Sequence, residues 1–106
     1  MSHLALLLPL LLGACVDEDR IQQRWESFLA ENGACQEDAD CTLVYPGCPL
    51  GCFDVVNAEA VPEAEALAER LIGRYERFGR SCDHDCTIAG EPRCTAGTCE
   101  VESVDP

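Results

Sequence analysis

Apolar residues recur at helical spacing in two stretches of the chain, and the longer stretch covers residues 62–78. Its charged side chains lie mostly away from the apolar face. Asn57 offers a cap before this helix, Pro62 suits its first turn and Gly79 should end it. The face expected to be buried comprises Ala64, Leu67, Ala68, Leu71, Ile72, Tyr75 and Phe78.

A second helical pattern lies nearer the N-terminus, over residues 18–31. Acidic residues 17–19 stand where a helix N-terminus favours negative charge, and Gly33 follows as a stop signal. The apolar positions of this helix are Ile21, Trp25, Phe28 and Leu29.

Short runs rich in β-formers separate the helices. Residues 42–45 and 53–56 predict two strands, and the two prolines and two glycines of residues 46–52 predict a turn between them. Residues 94–99 predict a tight hairpin around Gly97. Together these elements predict a small α+β domain, with two helices and a small antiparallel sheet.

Nine cysteines in 106 residues change this picture, because such a density is typical of a disulfide scaffold or a metal protein. The chain is long enough for one small domain only. The N-terminal segment decides between the two classes. Residues 4–12 are uniformly apolar, too short to span a bilayer but of the length expected for the apolar core of a secretory signal.

The motif Leu12-Gly13-Ala14-Cys15 resembles the lipobox of bacterial lipoproteins. The resemblance implies that residues 1–14 are a signal peptide and that Cys15 becomes lipidated, with residues 15–34 forming the anchor and N-terminal helix. Val16 instead of Asp favours the outer membrane over the inner one by the same resemblance. The competing interpretation is a buried helix over residues 4–12 with an ordinary cysteine after it.

Lipidation of Cys15 leaves an even set of cysteines for an oxidising compartment, which predicts four disulfides among 105 pairings. Cys94 and Cys99 could bond across their hairpin or each reach another element. The second arrangement is favoured, because disulfides that close long loops stabilise more. The eight residues are Cys35, Cys41, Cys48, Cys52, Cys82, Cys86, Cys94 and Cys99.

The order Asp40-Cys41, Gly47-Cys48, Gly51-Cys52, Cys82-x3-Cys86 and Arg93-Cys94-x2-Gly97-x-Cys99 resembles the eight-cysteine-cluster domain of myxobacterial and related secreted proteins. The resemblance covers residues 35–99 and leaves residues 100–106 as a short tail. It supports the disulfide interpretation and implies no particular activity.

The net charge of −13 disfavours nucleic-acid binding, which needs a basic surface to neutralise phosphates. Anionic lipid headgroups should also repel the chain as a whole. The acyl group is therefore the expected attachment to the membrane.

Candidate chemistry is sparse. Two Cys-x3-Cys pairs would permit zinc, but thiols pair into disulfides in an oxidising compartment. His84, flanked by Asp83 and Asp85, has no catalytic arrangement around it, and residues 37–40 and 83–85 lack the EF-hand pattern for calcium. We therefore expect neither an enzyme nor a cofactor.

What remains is a lipid-anchored binding or structural module of the cell envelope, with a protein partner that the sequence does not identify. Residues 45–52 would form a rigid surface loop presenting Tyr45 and Leu50. A protease-inhibitor-like protein using this loop is the alternative. Equally, Tyr45 and Leu50 could fill a sparse core.

Overall fold

The computed structural model of the chain describes residues 17–83, 85–86 and 90–102. The predicted signal peptide over residues 1–14, the predicted lipidation site Cys15 and the side chain of His84 lie outside the described residues. None of the helices described is long and apolar enough to cross a bilayer.

The described chain forms two helices and two separate two-stranded antiparallel sheets, which confirms the α+β prediction. Short 3-10 helices lie at Asp38–Asp40 and Ala58–Ala60. Both helices begin and end within about one residue of the predicted bounds. The elements are α1 (Asp17–Glu31), β1 (Cys41–Val44), β2 (Asp54–Asn57), α2 (Val61–Arg77), β3 (Pro92–Thr95) and β4 (Thr98–Val101).

One core fills the space between the helices and the first sheet. Trp25 is 1% exposed at its centre, and its ring stacks on Phe28 with the centroids 5.9 Å apart. Burial of apolar surface on this scale is the main stabilising contribution in a small domain. The other buried members are Ile21, Val44, Leu50, Val56, Ala60, Ala64, Leu67, Ala68, Leu71 and Tyr75.

Phe78 is the clear exception to the predicted buried face, since its side chain is 60% exposed. Helix α2 ends at Arg77, so Phe78 is the C-cap residue and lies beyond the turns that pack on the core. Gly79 follows with φ +76, the left-handed conformation in which glycine ends a helix. Helical periodicity placed Phe78 on the correct face but did not show that the packed part of the helix stops before it.

The two helices run antiparallel. At the C-terminal end of α1, the N–H of Asn57 donates to the carbonyl of Asn32 at 2.7 Å. The Asn57 side chain then accepts from the N–H of Glu59, capping the short helix that leads into α2, as predicted from the sequence. At the opposite end of α1, Gln22 Nε2 donates to the carbonyl of Pro49 at 2.6 Å. Cys48 of the same turn is bonded to Cys82 after α2, so the start of α1 lies near the end of α2.

The second sheet is the predicted hairpin, in which Cys94 lies opposite Cys99. Its turn residues Ala96 and Gly97 both have positive φ, as a two-residue hairpin turn of this type requires. Backbone bonds attach the hairpin to the chain just after α1: the N–H of Cys35 donates to the Gly97 carbonyl at 3.0 Å, and that of Cys99 to the Gly33 carbonyl at 2.7 Å.

Candidate functional site

All eight predicted cysteines are paired, and Cys94 and Cys99 each reach another element, as expected. Two bridges, Cys35–Cys94 and Cys41–Cys99, join the chain around the start of β1 to the hairpin across 59 and 58 residues. The other two, Cys48–Cys82 and Cys52–Cys86, join the turn of residues 46–52 to the chain after α2, each across 34 residues. Two disulfides thus fasten each end of the molecule.

The sulfurs of Cys35, Cys41 and Cys99 lie within 4.8 Å of one another, which places two disulfides side by side. A zinc site needs thiolate or imidazole ligands. Each of these sulfurs is bonded to another sulfur, so the cluster is a structural crosslink in this state.

The acidic loop of residues 37–40 has a structural role. Asp40 Oδ2 accepts from the backbone N–H groups of Gln36 and Glu37 at 2.8 and 3.1 Å. Asp38 Oδ1 accepts from the N–H of Cys94 at 2.8 Å, across 56 residues of sequence. Asp40 therefore stabilises its own loop, and Asp38 holds the hairpin against that loop.

The structure separates the two side chains of the 45–52 loop. Tyr45 is 69% exposed, whereas Leu50 is 8% exposed and belongs to the core. The reason is that the turn folds back on itself: Gly47 and Gly51 exchange backbone hydrogen bonds at 2.9 and 3.1 Å, and Leu50 is directed inward. The surface interpretation holds for Tyr45 and the core interpretation for Leu50.

Tyr45 borders a groove of about 570 Å³ between the end of β1 and helix α2, here called the Tyr45 groove. This volume is in the usual range for small binding sites. Apolar side chains line the groove from the end of β1, from helix α2 and from Trp25 of helix α1. The lining residues are Trp25, Val44, Tyr45, Pro46, Ala64, Glu65, Ala68, Glu69, Ile72, Gly73 and Glu76.

Three exposed carboxylates, Glu65, Glu69 and Glu76, line this groove. They share one side of α2 because residues four, seven and eleven apart lie along one helix face. An apolar groove with an aromatic side chain and carboxylates favours a ligand that is both cationic and partly apolar. The helical spacing of the three glutamates was visible in the sequence, but the groove they line forms only when β1 packs beside them.

A hydrogen bond holds the Trp25 ring in place, since its Nε1 donates to Asp54 Oδ2 at 2.9 Å. Burial raises the pKa of the Asp54 carboxyl above its ordinary value, the hydrogen bond from Trp25 opposes this, and the nearby charge of Glu26 adds to the increase. Asp54 therefore orients the tryptophan while its own charge is partly desolvated.

A second, wider groove of about 1550 Å³ runs between α1 and α2. Five of the chain's seven basic residues line it. They are Arg20, Arg24, Arg70, Arg74 and Arg77.

The structure therefore shows a small disulfide-rich α+β domain with two grooves of opposite charge on the two sides of α2. The disulfides fit an oxidising, extracellular environment. The chain gives no match to models of known protein families, to curated proteins or to solved structures.

Proposed function

We propose that this protein is an exported module of the cell envelope that is held by a lipid on Cys15 and binds a partner protein through the Tyr45 groove. The lipobox-like motif supports the anchor and, by the same resemblance, the outer membrane. The four disulfides support an oxidising compartment. The expected ligand is a segment of the partner that combines arginine or lysine with apolar side chains.

The exposure of Tyr45 carries this proposal. A tyrosine on a rigid surface contributes large contact area at low entropic cost, and aromatic residues are enriched at binding hot spots. Tyr45 follows a strand and precedes a turn that two disulfides fasten, so its backbone is held in place. Glu65 and Glu76 beside it supply charge for a cationic side chain.

The ligand chemistry can be tested with two peptides of equal length, one alternating arginine and leucine and the other glutamate and leucine. We expect the arginine peptide to bind the oxidised protein more tightly, by isothermal titration calorimetry. Tyr45→Ala should weaken that binding about tenfold, the effect of a modest hot spot. Equal binding of both peptides, or no effect of Tyr45→Ala, would contradict the groove assignment.

Two variants that lose the same charge distinguish binding in the Tyr45 groove from an effect of the protein's net charge. Glu76→Gln removes one carboxylate from the Tyr45 groove, whereas Glu100→Gln removes one from exposed strand β4. Only Glu76→Gln should weaken binding of the arginine peptide.

The anchor is tested independently by mass spectrometry of the membrane fraction, where the mature chain should begin at Cys15 and carry an acyl mass.

A protease-inhibitor-like function is the second candidate, and the exposed Tyr45 is the observation in its favour. Against it, inhibitory loops must present extended backbone to an enzyme, and residues 47–51 are closed on themselves with Pro49 and Leu50 buried. An inhibition screen with cleavage mapping over residues 45–52 distinguishes the two functions. Inhibition accompanied by cleavage next to Tyr45 would favour this candidate.

A further inference from the structure

The arginines of this acidic chain are segregated. Arg20 and Arg24 lie in the first half of α1, while Arg70, Arg74 and Arg77 lie in the second half of α2. Because the helices run antiparallel, all five meet where α1 begins and α2 ends. We call this region, comprising residues 17–24, 70–83 and 85–86, the arginine end.

Arg93, at the other end of the molecule, forms ion pairs with carboxylates. Its guanidinium lies 3.1 Å from Glu102, 3.5 Å from Asp38 and 3.6 Å from Glu91. These carboxylates raise the pKa of Arg93, and the largest cause is the hydrogen bond that Arg93 donates to Glu102. The hairpin with its neighbouring 3-10 helix Asp38–Asp40 therefore neutralises its own cation.

Four of the five groove arginines differ from Arg93. Arg20, Arg24, Arg70 and Arg77 are exposed, and none of them forms an ion pair with a carboxylate of the described residues. The chain has 20 acidic residues, enough to pair with each of these arginines. Folding nevertheless brings the four arginines together without such ion pairs among the described residues. Such a cluster repels itself, and an external anion relieves that repulsion.

The carboxylates near the arginine end do not fill the groove. Glu31 and Glu63 line its opposite end, and Glu69 lies on the ridge shared with the Tyr45 groove. On α1, helical geometry places Glu18 about 160° and Asp19 about 100° around the helix from Arg20, whereas position 17 lies about 60° from it on the same side.

Asp83 and Asp85, in the same exposed segment as Arg80, offset its charge. The arginine end as a whole carries six arginines and six acidic residues. The excess of positive charge lies in the groove, which is lined by five arginines and three glutamates.

Phe78 adds an apolar component to the arginine end. It is one of two large hydrophobic residues exposed in the described chain, and it directly follows Arg77. Aromatic rings beside arginines are typical of surfaces that lie at a membrane interface. The chain also leads from here to the predicted lipid: Cys15 is two residues from the start of α1, at most about 7 Å of extended chain.

We propose that the arginine end docks on anionic phosphate headgroups of the bilayer that holds the lipid anchor, with Phe78 at the interface. The proposal rests on the proposed lipidation of Cys15. It amends the expectation that the net charge repels anionic lipid, because the acidic hairpin lies beyond the far end of α1. That helix is about 22 Å long, more than two screening lengths of about 8 Å at physiological salt.

The test uses the protein purified from membranes and reconstituted in vesicles of phosphatidylcholine, with or without phosphatidylglycerol. Phe78→Trp provides a reporter that brominated lipids quench on contact, while Trp25 is buried and serves as an internal background. We expect quenching with phosphatidylglycerol, and loss of quenching in its absence or at high salt. Equal quenching in both vesicles would overturn the proposal.

Charge-matched variants in the reporter background locate the contact. Arg24→Gln or Arg77→Gln should each lower the affinity for anionic vesicles about fivefold, the effect of one basic residue near such a surface. Arg93→Gln makes the same change in net charge at the hairpin and should leave binding unchanged. An equal effect of Arg93→Gln would mean that net charge alone governs binding, which contradicts the proposal.

Two outcomes separate this inference from the anchor on which it rests. An unmodified Cys15 would remove the anchor, and cosedimentation of the same protein with phosphatidylglycerol vesicles would still test the groove. An acylated protein whose Phe78→Trp reporter is not quenched would overturn the docking surface alone. Binding of the glutamate–leucine peptide that is lost in Arg24→Gln, without any dependence on phosphatidylglycerol, would assign the groove to an acidic protein segment instead.

Discussion

The hairpin and the arginine end are each fastened by two disulfides, yet they are built differently. At the hairpin, Cys41 and Cys99 are buried, and backbone bonds, carboxylate acceptors and ion pairs accompany the bridges. At the arginine end, Cys82 and Cys86 are exposed, and residues 80–83 and 85–86 make no hydrogen bond to any described residue. The same crosslinking chemistry thus completes a packed structure at one end and tethers an exposed segment at the other.

This difference shows that the loop length closed by a disulfide does not by itself set its value. In the chain-entropy model, loops of 58 and 34 residues differ by only about 0.5 kcal/mol. Burial of the sulfurs and the hydrogen bonds that depend on the bridge must account for any larger difference.

Removing one bridge from each end should give unequal losses of stability. Cys41→Ala/Cys99→Ala removes a buried bridge between β1 and β4, and we expect the free energy of unfolding to fall by about 4 kcal/mol. Cys52→Ala/Cys86→Ala should lower it by about 2 kcal/mol, because the released segment regains freedom in the folded state too. Urea unfolding followed by Trp25 fluorescence measures both, and equal losses would refute the contrast.

Reduction should proceed from the arginine end. Thiol–disulfide exchange requires access to a sulfur, and the bridges of Cys82 and Cys86 each have one exposed partner. We expect these two to be alkylated first during mild reduction, and Cys41–Cys99 to be reduced last. Mass spectrometric peptide mapping over time gives the order. Early labelling of Cys41 would show that the hairpin opens more readily than its packing indicates.

The arginines should contribute differently to stability. Arg93→Gln removes the cation shared by three carboxylates, and we expect a small loss of stability that diminishes at high salt, as for other exposed ion-pair networks. Arg77→Gln should leave the free energy of unfolding unchanged to within about 0.5 kcal/mol. Thermal unfolding at low and high salt compares them, and a salt-independent loss for Arg93→Gln would argue against the electrostatic cause.

The smallest effect concerns Asp54, which belongs to neither end. Because its pKa is raised in the folded state, the folded protein binds this proton more tightly than the unfolded chain. Its contribution to stability is full below its ordinary pKa of 3.8 and is lost as the pH rises through the raised value. Asp54→Asn keeps an acceptor for Trp25 and should remove this pH dependence. A pH series of urea unfolding would contradict this if both proteins showed the same slope above pH 3.8.

Much of the fold was predictable because it is encoded locally. The helices follow from the spacing of Ile21 and Trp25 in α1 and of Leu67 and Leu71 in α2. The hairpin follows from a turn around Gly97, for which short-range steric preferences are sufficient. The even set of cysteines likewise predicted complete pairing without indicating the partners.

The candidate site was less accessible to sequence reasoning. Tyr45 and Leu50 were left open between surface and core, and only the closed turn of residues 47–51 separates them. The Tyr45 groove is lined by Glu76 of α2 and by the end of β1, which are about 30 residues apart in sequence. Periodicity along one helix carries no information about the element that packs next to it.

The helices, the hairpin, the disulfide-rich class and the net charge could be predicted because each depends on neighbouring residues or on composition. The cysteine pairing, the point at Phe78 where α2 leaves the core and the distribution of charge depend on how distant segments pack. The antiparallel packing of α1 and α2 gathers arginines from two distant stretches into one groove. A protein of net charge −13 thereby acquires a basic surface, since charge location follows from the fold and net charge does not.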